Sequence, residues 1–201
     1  MKRVFDIVVA SLGLFLLFPF LLVVALLIKL DSPGPVFFRQ ERIGRGFRPF
    51  FMYKFRTMVQ DAPLNGSAVT FAGDRRITPV GRLLRRMKID EFPQLINVVR
   101  GQMSLVGPRP EVRQYGELVR EEYEEILKIR PGITDLASLK YRDEEAVLGQ
   151  SENPEAHYLR WVLPDKIRLA KEYMKRSSSF FFDLALILKT LPKLFWYRSS
   201  P

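Results

Sequence analysis

With 201 residues and 47% hydrophobic content, the chain has the length of one domain with a proper core and leaves room for an anchor. The absence of cysteine and the single histidine, His157, exclude disulfides, thiolate nucleophiles, cysteine-bound zinc and histidine metal clusters. The net charge is +10, and its whole excess lies in residues 1–89, which suits an anionic membrane surface and phosphate-bearing substrates better than a nucleic-acid coat.

An uncharged stretch of 22 residues, from Ile7 to Ile28, occupies most of the N-terminal segment. As a straight helix it would be about 33 Å long, enough to cross a bilayer core of roughly 30 Å. A secretory signal is disfavoured because the apolar part is long and no small-residue cleavage site follows it. An ordinary spanning helix remains an alternative.

Basic residues flank both ends of this stretch, Lys2 and Arg3 before it and Lys29 after it, so the positive-inside rule places both ends in the cytoplasm. Pro19 lies near the middle, where it removes a helix hydrogen bond. We therefore predict a re-entrant helix-break-helix that enters and leaves by one leaflet. The anchor covers residues 1–34 and ends at the breaker cluster Asp31–Pro35.

Two segments rich in β-branched and aromatic residues, Val36 to Ile43 and Phe47 to Phe55, are separated by Gly44-Arg45-Gly46 and predict a β-hairpin. Its arginines are either solvated edge charges or contacts to phosphate groups. Lys54 and Arg56 are two residues apart, which places them on one face of a strand. Residues 59–79 are polar and rich in turn formers, and predict a mobile loop.

The stretch from Arg82 to Pro110 combines basic residues, an Asp90-Glu91 pair and a short apolar pattern that stops at Gly101. Asp90 precedes that pattern and is predicted to be a helix N-cap, at a positive helix end that favours anions. Arg85 and Arg86 lie just upstream and could hold a phosphate. The alternative is that Asp90 only caps the helix and that the arginines are solvated.

The C-terminal half predicts three helices, over Glu111 to Arg130, Pro164 to Lys175 and Phe180 to Lys189. The last is amphipathic, and both core packing and an interfacial position in the headgroup layer are open. Together with the hairpin, these helices predict an α+β fold: a small, mainly helical domain over residues 35–201, facing the cytoplasm, with interfacial helices.

Several motifs resemble the bacterial sugar transferase family, the monotopic phosphoglycosyl transferases. They are Asp90–Leu95, Asn97–Val99, Gly101–Pro110 and Arg130–Thr134, with further likeness at Lys2–Asp6, Tyr53–Met58 and Phe180–Leu184. The resemblance implies transfer of a phosphosugar from a nucleotide sugar, with a uridine nucleotide expected, to polyprenyl phosphate at the bacterial inner membrane, as the initiating step of glycan assembly. The expected partners are these two substrates and membrane lipids, without nucleic acid. Residues 135–144 depart from the commonest family pattern, which leaves the sugar unassigned.

The resemblance also implies roles for individual residues. Asp90 would attack the phosphorus that bears the sugar, giving an acyl phosphate, and Glu91 would bind Mg²⁺, a cation that bridges phosphates. The expected phosphate ligands are Arg85 and Arg109, then Lys54, Arg56 and Arg86, with Arg130 in a nearby anion-contacting turn. A Mg²⁺-dependent nucleotide-sugar pyrophosphatase that uses water is one alternative, and dependence on polyprenyl phosphate separates it from a transferase. A non-enzymatic, membrane-anchored polyanion-binding protein is another.

Overall fold

The computed structural model describes residues 1–62, 69–177 and 179–195. It confirms a mainly helical α+β chain with a β-hairpin and an apolar N-terminal helix. The helices are α1 Lys2–Asp31, α2 Pro79–Arg86, α3 Gln94–Val99, α4 Arg113–Leu118, α5 Arg120–Ile126, α6 Leu136–Lys140, α7 Glu144–Gly149, α8 Pro154–His157, α9 Leu163–Met174 and α10 Phe180–Phe195. The strands are β1 Phe37–Ile43, β2 Pro49–Phe55, β3 Ser104–Val106 and β4 Gly132–Thr134.

Helix α1 differs from the predicted helix-break-helix, because one helix of 30 residues runs through Pro19 without interruption. A proline removes one backbone donor, and the hydrogen bonds before and after that position keep the rest of a long helix together. By length and composition α1 could cross a membrane, with a mean hydropathy of 2.9 over its most apolar window. Large apolar side chains on its outer face are exposed: Val4, Leu12, Phe15, Leu16, Leu26 and Leu30.

Both ends of α1 are fixed to the same domain. At the N-terminus, the Lys2 ammonium donates to the Val106 carbonyl at 3.1 Å and pairs with Asp183 of α10. At the C-terminus, Arg56 donates to the carbonyls of Ser32 and Pro33 at 2.6 and 2.7 Å. The inner face of α1 packs along α3 between these two ends, so the helix lies along the domain instead of projecting from it.

The hairpin is confirmed, with β1 and β2 antiparallel from the Phe37–Phe55 pair to the Ile43–Pro49 pair. The second strand starts two residues later than predicted because Arg45–Phe47 forms a 3₁₀ turn, in which Gly46 and Phe47 have φ of 67° and 59°. The register places Lys54 opposite Phe38, on the same face as Arg42.

The predicted single helix over Glu111 to Arg130 is divided into α4 and α5, because Val119 between them has φ −128° and ψ 41° and cannot continue a helix. Helix α9 agrees with the prediction within two residues, and α10 extends beyond the predicted Lys189. Residues 63–68 of the predicted loop lie outside the described residues. In the rest of that loop Ala62 and Val69 are buried, and Ile77 pairs with Met58, which lies just before the loop.

A parallel pair of short strands, β3 and β4, carries the loop that leads to the candidate site. At its end the Gly107 N–H donates to Thr134 and the Gly132 N–H donates to Pro108. A Cβ on Gly132 would lie 2.1 Å from the Gly107 nitrogen, so these backbones approach as closely as only glycine permits. This contact fixes the turn that presents Arg109.

Candidate active site

The Asp90-Glu91 pair lies in a 3₁₀ turn, Ile89–Glu91, on the wall of a cavity of about 940 Å³. The prediction that Asp90 caps a helix is wrong. Helix α3 begins at Gln94 with Pro93 in the cap position, so the Asp90 carboxylate makes no capping hydrogen bond. Asp90 is 5% exposed, and its Oδ1 atom is buried without a hydrogen-bond partner in the part of the chain that the structure describes.

Glu91 is held by two basic side chains. The Arg109 guanidinium donates to both carboxylate oxygens, with distances of 3.1 Å to Oε2 and 2.5 Å to Oε1. The Lys54 ammonium lies 3.2 Å from Oε1. A bidentate Arg–carboxylate pair of this kind is both strong and geometrically specific. Lys54 comes from β2 and Arg109 from the turn after β3, so two distant parts of the sequence fix one carboxylate.

The two adjacent carboxylates titrate in opposite directions. Burial raises the pKa of Asp90 above its ordinary value of 3.8, and the positive charge of Lys54 opposes that shift only in part. Burial also acts on Glu91, but the charges of Arg109 and Lys54 outweigh it and hold the pKa of Glu91 well below its usual range. Carboxylates whose environments separate their pKa values in this way commonly have different chemical roles.

The other predicted phosphate ligands are divided between the cavity and other places. Arg85 lines the cavity, where it donates to Glu145 at 2.9 Å and to the Thr57 hydroxyl at 3.1 Å. Arg86 is exposed outside the cavity lining, and Arg130 donates to the Gly101 carbonyl on another side of the domain. The structure therefore brings Arg85, Arg109 and Lys54 together around the carboxylates, and does not bring Arg86 or Arg130 there.

Arg56 also borders the cavity, but its guanidinium is directed to the end of α1. Its Nη1 and Nη2 atoms donate to three carbonyls, of Ile28, Ser32 and Pro33, and to the Ser32 hydroxyl. Ile28 lies in the last turn of α1, where its carbonyl also accepts from the Ser32 N–H, and Ser32 and Pro33 directly follow the helix. Arg56 thus caps the end of α1 in this structure, and its contact with a phosphate stays a prediction.

Several cavity residues were not assigned individually to the site from the sequence. Arg42 donates to Gln40 and Glu111, and the Tyr158 hydroxyl also donates to Glu111. Arg42 lies two residues from Gln40 and shares the face of Lys54 across the hairpin, so strand register was the signal that could have found it. Lys88 also lines the cavity, and its position two residues before Asp90 was a sequence signal.

The cavity has a polar side and an apolar side. The polar side holds the two carboxylates and their basic neighbours. The apolar side is formed by Val9 and Leu17 of α1, Leu95 of α3, Leu105 of β3, and Ile187 and Leu191 of α10. A ligand with a charged head and a hydrocarbon tail therefore meets surfaces of both kinds in one continuous space.

The donor set for a metal ion is small. Within the described residues, no group of three or more His, Cys, Asp and Glu side chains could hold a metal ion. Mg²⁺ usually takes one or two carboxylates together with waters and substrate phosphates. Glu91 is the carboxylate that could take part in such a site beside a phosphate substrate, although Arg109 and Lys54 already contact its oxygens.

The sequence model of the family described as bacterial sugar transferase matches residues 1–197. The chain is 44% identical over 196 residues to a UDP-N-acetylgalactosamine-undecaprenyl-phosphate N-acetylgalactosaminephosphotransferase of Aeromonas hydrophila, covering 94% of this chain and 42% of the relative. It is 41% identical over 198 residues to a UDP-glucose:undecaprenyl-phosphate glucose-1-phosphate transferase of Caulobacter vibrioides, covering 96% and 69%. The exopolysaccharide production protein PSS of Rhizobium leguminosarum shares 48% identity over 147 residues, covering 70% and 74%.

The chain thus spans less than half the length of the Aeromonas relative and about two thirds of the Caulobacter one. The family match covers almost the whole chain, from the apolar helix α1 through the carboxylate pair to the end of α10. The chain belongs to the bacterial sugar transferase family.

Proposed function

We propose that this protein transfers a sugar 1-phosphate from a nucleotide sugar, with a uridine diphosphate sugar as first choice, to a membrane polyprenyl phosphate. The reaction would pass through a covalent phosphosugar on Asp90, release a nucleoside monophosphate and initiate glycan assembly. One observation carries this proposal. A buried Asp90 oxygen has no hydrogen-bond partner among the described residues, the adjacent Glu91 is bound by Arg109, and both line a cavity that is polar on one side and apolar on the other. The names of the relatives, which mention UDP-sugars and undecaprenyl phosphate, support the substrate classes.

In the first half-reaction an oxygen of ionised Asp90 attacks the phosphorus that bears the sugar. The bond from that phosphorus to the bridging oxygen breaks, and the nucleoside monophosphate leaves with the electron pair. The carboxylate suits this role because its Oδ1 is not held by a described residue, whereas both Glu91 oxygens are engaged by Arg109 and Lys54. A free carboxylate oxygen can form a covalent intermediate in this way.

The basic side of the cavity would neutralise the pyrophosphate of the donor. Arg109 and Arg85 present guanidinium groups and Lys54 an ammonium group within one wall. Such preorganised charges stabilise phosphoryl transfer, which depends chiefly on position and electrostatics. Mg²⁺, held by Glu91 and substrate phosphates, would add positive charge there when bound. A metal would have to share Glu91 with Arg109 and Lys54, because they occupy its oxygens.

In the second half-reaction a phosphate oxygen of the polyprenyl phosphate attacks the same phosphorus, and the Asp90 carboxylate leaves. The product is a polyprenyl diphosphate sugar, and the enzyme is restored. The apolar side of the cavity between α1 and α10 supports a lipid acceptor, since a hydrocarbon chain gains by leaving water there. Water as the acceptor would give the cavity's apolar side no role.

The attachment of α1 supports a protein that enters the membrane from one side. Lys2 at one end and the Ser32 carbonyl at the other both bond to the same domain, which disfavours a helix with its two ends on opposite sides of a bilayer. We propose that α1 enters and leaves the cytoplasmic leaflet of the inner membrane, with the domain facing the cytoplasm. The exposed apolar face of α1 would then contact lipid.

The experiment that tests this function is a panel of nucleotide sugars incubated with purified protein in nanodiscs, with and without undecaprenyl phosphate. Nucleoside monophosphate release and a lipid-linked sugar diphosphate should appear together for at least one donor, and Asp90→Asn should form neither. Steady turnover without the lipid would show a pyrophosphatase instead. No turnover of any donor would contradict the proposed function.

A further inference from the structure

Lys88, two residues before Asp90, has an unusual backbone conformation. Its φ of 56° and ψ of 19° lie in the left-handed region, which a lysine rarely occupies. The residue ends the turn after α2, where its N–H donates to the Arg85 carbonyl, and its own carbonyl accepts from the Glu91 N–H. Residues held in this region are often found where a site requires a particular side-chain position.

The side chain of Lys88 is partly buried and lines the cavity. It lies close enough to Asp90 and Glu91 that its charge lowers the pKa of both carboxyl groups, as a minor contribution beside those of burial and of nearer bases. Asp90 and Glu91 line the same cavity, so Lys88 borders the space in which the proposed reaction takes place.

Other basic side chains in the cavity wall already have partners. Arg42 bonds to Gln40 and Glu111, Lys54 to Glu91, Arg85 to Glu145, Arg109 to Glu91, and Lys166 to Glu144. The Lys88 ammonium, by contrast, has no hydrogen bond or ion pair within residues 1–62, 69–177 and 179–195. Its ammonium is thus a cation in a partly enclosed site that no described carboxylate pairs with directly, on a residue whose backbone conformation is costly for a lysine.

We propose that Lys88 is a phosphate ligand of the reaction, receiving an oxygen of the donor pyrophosphate or of the acceptor phosphate beside Asp90. The substrates in this inference are those of the proposed function. The choice of Lys88 rests on its place in the cavity lining, on its ammonium without a described partner and on its backbone conformation. A lysine ammonium suits a phosphate as a compact point charge, and it can complete the charge balance without releasing Glu91 from Arg109. The competing structural explanation is that Lys88 only interacts with the C-terminal carbonyls of α2.

The backbone conformation allows a variant that separates the two explanations. Lys88→Gly removes the side chain and also suits a positive φ, so the melting temperature should not fall. Lys88→Gln keeps most of the side-chain length without the charge, and Lys88→Arg keeps the charge. Arg82→Gln, on the exposed side of α2 and outside the cavity lining, is the control for a general loss of positive charge.

Two kinetic measurements assign the phosphate. In the first, nucleoside monophosphate release is followed with nucleotide sugar alone; in the second, the lipid acceptor is titrated at saturating donor. Lys88→Gly and Lys88→Gln should raise the KM of one of these substrates by about 10- to 100-fold, as expected for loss of a charged hydrogen bond. Lys88→Arg should bind more tightly than Lys88→Gln, and Arg82→Gln should match the unaltered protein. The substrate whose KM rises identifies the phosphate.

A binding measurement keeps this inference separate from the proposed function. Inorganic pyrophosphate, titrated into the full protein in nanodiscs by calorimetry, should bind more weakly to Lys88→Gly than to the unaltered protein or Arg82→Gln. This comparison stands even if no nucleotide sugar is turned over. Equal pyrophosphate affinity and unchanged KM values in both Lys88→Gly and Lys88→Gln would overturn the role of Lys88.

Discussion

The Arg109 guanidinium contacts both oxygens of the Glu91 carboxylate, at 3.1 and 2.5 Å, while the neighbouring Asp90 keeps a buried oxygen without a described partner. One member of the pair is thereby fixed as a permanent anion, and the other is left available for chemistry. The turn that presents Arg109 depends on the contact between Gly107 and Gly132. The motifs Gly101–Pro110 and Arg130–Thr134 therefore position this one arginine together.

Replacement of Arg109 by lysine should keep the charge and lose the two-pronged contact with Glu91. We expect kcat/KM for nucleoside monophosphate release to fall by about 10- to 100-fold, the effect of losing one charged hydrogen bond. Arg113→Lys is the matched control, because the Arg113 side chain is 66% exposed and forms ion pairs with Glu41 and Glu117 on the surface. Equal kcat/KM for Arg109→Lys and Arg113→Lys would remove Arg109 from the site.

The pH dependence of the first half-reaction should reveal the environment of Asp90. A carboxylate must be ionised to attack phosphorus, and burial raises the pKa of Asp90 above 3.8. The rate constant for monophosphate release from donor alone should therefore decline, as pH falls, at a higher pH than an ordinary aspartate would give. Protonation of Glu91 should not lower the rate constant at the same pH, because the charges of Arg109 and Lys54 hold the pKa of Glu91 well below its usual range. A rate constant that stays level down to the ordinary pKa would contradict this assignment.

Arg56 should prove to be a structural residue. Arg56→Met would leave three carbonyls near the end of α1 without their charged donor, and we expect a loss of roughly 2–4 kcal/mol in the free energy of unfolding. The KM for nucleotide sugar of the remaining folded protein should change little. Arg39→Met, at an exposed strand position, is the control for stability. A raised KM with unchanged melting temperature would restore Arg56 as a phosphate ligand.

The topology of α1 can be measured by cysteine labelling, since the chain contains no native cysteine. We expect a cysteine placed in a short tag before Met1 and a second one at Pro33→Cys, examined singly, to react only from the cytoplasmic side. The reason is that both ends of α1 bond to one domain. Labelling of the N-terminal cysteine from the periplasm would demonstrate a spanning helix.

The features that could be predicted from sequence depend on local patterns. Segments rich in aromatic and β-branched residues on both sides of Gly44-Arg45-Gly46 were enough for the hairpin. The uncharged run was enough for an apolar N-terminal helix, but α1 continues through Pro19, where a break was predicted. The cap assigned to Asp90 failed because Pro93, three residues later, occupies the cap position of α3. The contacts of Arg85 with Glu145 and of Arg56 with the end of α1 join residues 60 and 23 or more positions apart. No local pattern specifies such pairs, nor the three-residue pairing of β3 with β4.

The covalent intermediate on Asp90 is the central claim, and Asp90→Asn is its control. Burial in the folded state raises the pKa of Asp90 above the value of 3.8 that an aspartate ordinarily has. Ionisation of Asp90 therefore lowers the free energy of unfolding as the pH rises above 3.8. Asp90→Asn should therefore be at least as stable as the unaltered protein at neutral pH, and its melting temperature would confirm that any loss of reaction is not a loss of fold.

The most direct measurement is intact-mass spectrometry after the protein is mixed with a nucleotide sugar that it turns over, without lipid acceptor. The unaltered protein should gain the mass of one sugar phosphate, with peptide mapping to Asp90, and should lose it when undecaprenyl phosphate is added. Asp90→Asn should gain nothing. An adduct that persists in Asp90→Asn, or monophosphate release by the unaltered protein with no adduct at any time point, would contradict the covalent mechanism.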